Sequence, residues 1–348
     1  MHQTFVRPLE AEEVGIGPQL PSPPRLEWLE LVKYWKAGRT EPLWFLADPM
    51  RSDLALIDAA SLQDSTQFRW PLVARPAFGG MRPSAVRWYR IPAPGWFAEE
   101  GWSLTPETAG IAELMGRRAH LGPITTQVRR RNGAARVLIG GRNLAGADDP
   151  AARFTMSIDG VVFQQWDAVP GFFLKVFDIP AGKLAGAGAL ASLTVQSAAV
   201  AGSAAIPTAI EQFDLQNEDA TIWGYDEGWQ ETEYSPALGV WRWASERATL
   251  RIAGPTRSVE ITLRIESPLK YFDEAPLVRA RAGERELAVS TIASDREWTF
   301  EAPADALAAS NGTVTIETDK TFVPAERGAA ADKRRLGLRI FGISARNR

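Results

Sequence analysis

The chain has 348 residues, a net charge of −3, no cysteine and two histidines. That length suggests two or three domains and a core large enough to need no cross-link. The composition excludes thiol chemistry, disulfides and cysteine-bound zinc. His2 and His120 are too few for a histidine metal site or a triad, and no basic field is present to attract nucleic acid. The 13 tryptophans supply flat rings for cores or for sugar faces, and 24 prolines with 29 glycines suit a turn-rich, all-β body. No run approaches the ~20 apolar residues of a membrane span, and the first residues lack the apolar centre of a signal peptide.

Residues 1–23 read as a linker that closes on Pro21-Ser-Pro-Pro24. Pro24 then opens a helix, with Trp28, Leu31, Val32 and Trp35 on one face and Gly38 as its stop. Leu43–Ala47 and Leu54–Ile57 are short apolar runs of strand type, and Val86–Ile91 alternates as a further strand. Together they predict a small α/β module over residues 24–94. No glycine-rich phosphate loop follows Leu46, so a nucleotide site is not indicated.

The remainder repeats itself. Gly101-Trp102 and Gly228-Trp229 stand 127 positions apart, Gly160 and Gly283 stand 123 apart, Phe177 and Phe300 also 123, and Phe213 and Phe341 128. Four ordered landmarks at nearly one spacing predict two copies of one domain, residues 95–219 and 220–348. Strand candidates recur through both copies: Val137–Ile139, Phe154–Ile158, Val161–Trp166, Phe172–Phe177, Leu193–Gln196 and Ile210–Leu215, then eight more from Trp241–Trp243 to Leu336–Ile343. Asp159-Gly160 and Asn311-Gly312 are hairpin signals. Short strands between turn signals predict tandem antiparallel β-sandwiches of jelly-roll type. Val259, Ile261, Leu263 and Ile265 face one way, Glu260, Thr262 and Arg264 the other, so that strand has a core face and a wet face.

The functional candidates lie in the second copy. Trp223, Tyr225, Asp226, Glu227 and Trp229 fall within seven residues, answered in the first copy by Trp96, Glu99, Glu100 and Trp102. Rings cover sugar C–H faces and carboxylates accept hydroxyl hydrogen bonds, so Trp223, Tyr225, Asp226 and Glu227 are glycan-binding candidates, joined by Tyr271 and Phe272 of Lys270–Asp273. The alternative is that Trp102 and Trp229 plug each sandwich and the acids are merely solvated. Trp241 and Trp243 share one side of a strand and fill a core or form a platform, with Arg242 opposite. Asp226 or Glu227 in a glycosidase pair, Asp226 with Asp273 on a calcium ion, and an Asp48–Asp53 loop site are weaker alternatives. The basic runs Arg129–Arg131 and Lys333–Arg335 read as solvated loops.

Three groups of segments carry a resemblance: Leu43–Pro49 with Arg51–Ile57; Trp88–Ile91 with Gly95–Phe97 and Gly101–Glu107; and Phe322–Glu326 with Arg334–Leu338. They resemble the soluble region that follows the membrane part of bacterial glycosyltransferases related to dolichyl-phosphate-mannose–protein mannosyltransferases and lipid A aminoarabinose transferases. These are packing motifs. The acids of that family lie between membrane helices, so no catalytic residue carries over. The resemblance implies an extracytoplasmic, non-catalytic accessory region that binds glycan or positions an acceptor, with a lipid-linked sugar and a membrane-embedded catalytic region as partners and no cofactor. A secreted glycan-active enzyme and a purely structural interaction module are the alternatives.

Overall fold

The structure is a computed structural model that describes residues 35–39, 43–47, 87–91, 95–98, 123–146, 148–200, 206–230, 233–235, 239–254, 257–328 and 331–348. The linker, most of the helix expected after Pro24, the Leu54–Ile57 run, the Asp48–Asp53 loop, His2, His120 and the Glu99–Trp102 opening lie outside them. Of that helix, Trp35 and Lys36 are described. Trp35 is buried with its ring 5.7 Å from Phe97. Strands β1 (Leu43–Ala47) and β2 (Arg87–Ile91) pair antiparallel from Leu43 opposite Ile91 to Ala47 opposite Arg87. These two are therefore not the parallel pair of a βαβ unit.

The first sandwich comprises β3 (Trp96–Ala98), β4 (Ile124–Arg129), β5 (Ala135–Asn143), β6 (Ala152–Ile158), β7 (Val161–Ala168), β8 (Gly171–Ile179), β9 (Leu190–Ala199) and β10 (Thr208–Asn217). One sheet runs β3-β4-β9-β6-β7 and the other β10-β5-β8. The second sandwich comprises β11 (Ile222–Tyr225), β12 (Glu233–Ser235), β13 (Gly239–Ala244), β14 (Arg247–Ala253), β15 (Val259–Ile265), β16 (Leu277–Ala282), β17 (Arg285–Thr291), β18 (Arg296–Ala302), the short helix α1 (Ala304–Ala309), β19 (Thr313–Thr318) and β20 (Leu338–Asn347). Its sheets run β11-β14-β19-β16-β17 and β12-β13-β20-β15-β18. The two five-stranded orders β3-β4-β9-β6-β7 and β11-β14-β19-β16-β17 correspond strand for strand, and so do β10-β5-β8 and β20-β15-β18. The chain is mainly β and antiparallel.

Alternation produces these strands. In β4 Ile124, Thr126 and Val128 are buried with half-exposed residues between them; β14 and β15 follow the same two-residue period. Each copy encloses its own core, one centred on Val137, Phe154, Met156 and Phe213, the other on Leu250, Ile261, Leu263 and Ile316.

The ladders refine the repeat alignment. Val137 lies opposite Phe177 and Ile261 opposite Phe300, which keeps that match. Phe213 lies opposite Ile139, whereas the residue opposite Leu263 is Ile343. Phe213 therefore corresponds to Ile343, and Phe341 falls instead on the bulge that both copies carry at this point. The hairpins shift by one place as well. Ile158 pairs Val161 and Ala282 pairs Arg285, so Asp159 corresponds to Gly283. Asp159 and Gly160 both have positive φ, at 50° and 79°, as the predicted turn requires. Asn311-Gly312 is not a hairpin: it ends α1, where the Gly312 N–H donates to the Leu307 carbonyl at 2.7 Å.

A buried glutamine of the first copy clasps the start of the second. Gln212 is 2% exposed and brackets Tyr225. Its carboxamide donates to the Tyr225 carbonyl at 2.7 Å and accepts from the Tyr225 N–H at 2.6 Å, as a neighbouring strand would. The approach is close: a β-carbon on Gly224 would lie 2.9 Å from both Gln212 Oε1 and Leu138 Cδ1. Gln212→Ala should leave two buried backbone groups unpaired and cost about 2–4 kcal/mol. Urea unfolding would measure it, and an unchanged midpoint would show that water replaces the clasp.

Candidate functional site

The six candidate residues separate into two groups. Trp223 and Tyr225 belong to the second core, 3% and 7% exposed. Their rings meet edge to face at 5.6 Å, Tyr225 meets Trp229 at 4.8 Å, and the Arg242 guanidinium covers Tyr225 at 4.8 Å. Faces used in this way are closed to a sugar, so these two residues are packing groups rather than a binding platform. Trp223 is also a repeated position: it pairs Ile252 as Trp96 pairs Val128, at the same 127-residue spacing as the two Gly-Trp pairs. That match was available in the sequence. It was obscured because Ile222–Tyr225 reads as an acidic-aromatic loop rather than an edge strand.

Beside them Asp226 is half-buried and Glu227 exposed. Thr249 pins their backbone, accepting from the Asp226 N–H at 2.9 Å through its carbonyl and from the Glu227 N–H at 3.0 Å through its hydroxyl. Burial first, then the charge of Glu227, pushes the Asp226 carboxyl above its usual range, against the pull of Arg251 and Lys175. Among the described residues no group of three or more His, Cys, Asp or Glu is placed to hold a metal ion, and Asp226 with Asp273 forms no such group.

Tyr271 and Phe272 sit elsewhere, on the side of the β12-β13-β20-β15-β18 sheet opposite the core. β13 sets this up. Arg242 points inward, so Trp241 and Trp243 point outward into a separate aromatic cluster with Leu336, Tyr271, Phe322 and Phe341. The two tryptophans are buried, but in this outer layer. Tyr271 and Phe322 stack at 5.4 Å with planes 9° apart, and Trp243 meets both edge-on. Phe272 is 9% exposed and packs behind Phe322.

The layer is held by charge. The Arg339 guanidinium lies 3.9 Å from the Trp241 ring and 5.2 Å from Phe341. Its Nη1 donates to Glu266 Oε2 at 3.2 Å, the Tyr271 hydroxyl donates to the same oxygen at 2.7 Å, and Lys270 bonds the other at 2.7 Å. Burial works to raise the Glu266 carboxyl, but these three donors outweigh it and hold it below its usual range. Burial and the bond to Glu266 push Tyr271 up to about 12. Glu233 accepts from the Trp241 indole at 2.9 Å and from Arg334 at 2.7 Å. Near neutral pH Glu266 is an anion and Tyr271 a neutral phenol, so neither is poised for proton transfer; the arrangement suits binding.

Next to this aromatic wall the same sheet face is small and polar. Thr262 and Thr299 share a hydrogen bond at 2.9 Å, Gly342 and Ser344 lie on β20, and the exposed Arg264 guanidinium stands 5.9 Å from the Phe341 ring while donating to the Phe341 carbonyl at 3.0 Å. The equivalent face of the first copy is built otherwise. Matched through the ladders, Thr262 corresponds to Leu138, Arg264 to Gly140, Thr299 to Val176 and Gly342 to Gln212. There Leu138 and Val176 replace the two threonines, Asp214 stands in the place of Ser344, and the face receives β11, with Leu138 against Gly224. One copy thus uses this surface as a joint, and the other leaves it half-open, aromatic at one end and hydroxyl-rich at the other. Sequence reasoning missed Phe341, Arg264 and the threonines; the outward-facing alternation of β15 was the available signal.

Among the described residues no helix is long and apolar enough to cross a membrane. No protein-family model and no curated protein matches the chain. Among solved structures, it is similar to the N-terminal tandem CBM22-1–CBM22-2 domain of Paenibacillus barcinonensis Xyn10C at 11% identity and TM-score 0.23, over 73% of this chain and 94% of that one. Allantoicase from Saccharomyces cerevisiae is similar at 9% identity and TM-score 0.26, over 86% and 99%. A GH2 β-galacturonidase from Eisenbergiella tayi is similar at 13% identity and TM-score 0.21, over 64% and 33%. Likeness at this level leaves ligand and activity to be argued from the site itself.

Proposed function

We propose that the chain is a non-catalytic glycan-binding module whose contact surface is the outer face of the β13-β20-β15-β18 sheet. One observation carries this reading: a half-exposed aromatic wall at Phe341 and Tyr271 adjoins a floor of Thr262, Thr299 and Ser344 beside Arg264. Sugar C–H faces gain by covering the ring, while their hydroxyls need the directional donors and acceptors of the floor. The segments that resemble the soluble region of membrane glycosyltransferases support the finer reading. In it the module lies outside the cytoplasm and presents an acceptor or a lipid-linked sugar to a membrane-embedded catalytic region.

A glycan array followed by calorimetric titration tests this. Covering one ring is worth on the order of 1–2 kcal/mol, so Phe341→Ala should weaken binding about tenfold with little change in melting temperature. Tyr225→Ala should instead lower the melting temperature and leave the affinity of the folded fraction unchanged. Absence of any glycan ligand, or full affinity in Phe341→Ala, would sink the proposal. The raised carboxyl of Asp226 favours the second reading, a glycan-active enzyme with Asp226 as acid. Sugar release that Asp226→Asn abolishes would establish it.

A further inference from the structure

Three of the exposed large apolar side chains stand at the two ends of one edge strand. β7 pairs with β6 alone among the described residues, and it carries Val161 at 69% and Val162 at 58% exposure, with Val169 at 68% just past its end. The ladders place Val161 and Val162 where the second copy has Arg285 and Glu286 on β17. There Arg285 pairs with Asp305 at 2.8 Å and Glu286 with Arg279 at 3.9 Å, the kind of charge that keeps an edge strand from pairing with another chain. β7 lacks that protection. Its one charge, Asp167, is held by two hydrogen bonds from Arg153 at 2.8 and 3.0 Å.

We infer that β7 is the interface for a second copy of this chain, paired antiparallel about a two-fold axis at Trp166. The pattern is self-complementary. Val162, opposite Ser157, lies at one end past the bulge and Val169 at the other, with the uncharged Gln164 and Gln165 between them. A two-fold axis at Trp166 sets Gln164 of each copy against Ala168 of the other, Gln165 against Asp167 and, past the bulge, Val162 against Val169, with no like charges opposed. The shared bulge, at Phe163 in β7 and Leu287 in β17, leaves Gln164–Ala168 as the regular run that makes the ladder. The pairing continues the β3-β4-β9-β6-β7 sheet across two chains.

Sedimentation of the full chain over a range of concentrations reads the association. The wild type should form a dimer, and the double substitution Val161→Arg with Val162→Glu, which installs the charges of the second copy, should be monomeric and melt where the wild type melts when diluted below its dissociation. A cross-link gives a second reading that does not depend on that variant folding. The chain has no cysteine, so a mixture of Gln165→Cys and Asp167→Cys chains sets two thiols opposite one another at about 4.5–5.5 Å between Cα atoms, within disulfide reach. The mixture should cross-link on mild oxidation, while Val289→Cys, at the place on β17 that matches Gln165, should not. A wild type that stays monomeric at every concentration overturns the inference. So does a dimer that survives the charged substitutions, or a Gln165→Cys and Asp167→Cys mixture that cross-links no better than Val289→Cys. Capture of a different protein's strand by a monomeric wild type likewise overturns it.

Discussion

Gly228→Ala should unfold the second sandwich, while Gly160→Ala should only weaken the first. The two glycines have nearly the same backbone, with φ of 80° and 79°. Their surroundings differ. A β-carbon on Gly228 would sit 1.9 Å from the Arg247 carbonyl oxygen and 2.8 Å from the Ala248 Cα, both backbone atoms of β14 that cannot rotate away. One on Gly160 would meet nothing within 4 Å. Gly160→Ala therefore carries only the left-handed penalty of about 1–2 kcal/mol. Gly228→Ala adds a clash that must part the Asp226–Trp229 loop from β14. That parting breaks the Trp229 indole bond to the Thr249 carbonyl at 2.7 Å and the Thr249 N–H bond to the Glu227 carbonyl at 2.8 Å. A loss above ~4 kcal/mol is expected, the range reserved for such specific damage. Denaturant unfolding of the two variants side by side decides the matter. Equal losses would show that backbone conformation alone, not close approach, fixes the glycine of the Gly228-Trp229 pair.

The second large effect is a pH dependence centred on Asp214 in the first sandwich. Burial is complete and raises its carboxyl from the ordinary 3.8 to about 7. Hydrogen bonds from Gln216 at 3.0 Å, the Trp96 indole at 3.1 Å and the Leu215 N–H at 2.8 Å, with the charge of Arg131, only partly oppose it. All three bonds fall on Oδ1, and Oδ2 is buried without a partner, as are Nε and Nη2 of Arg131. Between the unfolded and the folded pKa the native state binds the extra proton. This contribution to stability is therefore full below about pH 4, declines as pH rises toward 7 and is gone above it. At about 1.4 kcal/mol per pH unit the swing reaches at most roughly 4 kcal/mol. Asp214→Asn keeps the Oδ1 acceptor and removes the titration, so the melting temperature of the wild type should fall between pH 5 and pH 8 relative to that of the variant. Parallel pH profiles would show that the carboxyl stays ionised throughout.

Much of the architecture was legible before any coordinates. A two-residue period leaves its mark wherever one side of a strand meets a core, and the spacings of Gly228-Trp229 and Phe300 from their counterparts carried the duplication. Chemically ordinary strands were harder to see. Ile124–Arg129 alternates, but Thr126 is polar and buried, and Ile222–Tyr225 is too short and too aromatic to show a period. The repeat slipped at Phe341 because a bulge inserts a residue without altering composition, so a chance Phe-to-Phe match outweighed the true partner, Ile343.

The sequence alone determined the β class, the doubling and the lack of any thiol, because these follow from composition and local periodicity. It could not determine which aromatic rings are available. Trp223, Tyr225, Tyr271 and Phe341 are equally apolar in one dimension. Whether a ring faces the core, a neighbouring guanidinium or water depends on which side of a sheet the strand turns outward and on what the next sandwich covers. Only the tertiary structure decided that. It placed Trp223 and Tyr225 inside, turned Arg242 inward so that Trp241 and Trp243 face out, closed one copy's outer face with the Gln212 clasp and left the other's open. These outcomes come from contacts between residues far apart in the chain, whose free energy no local pattern records.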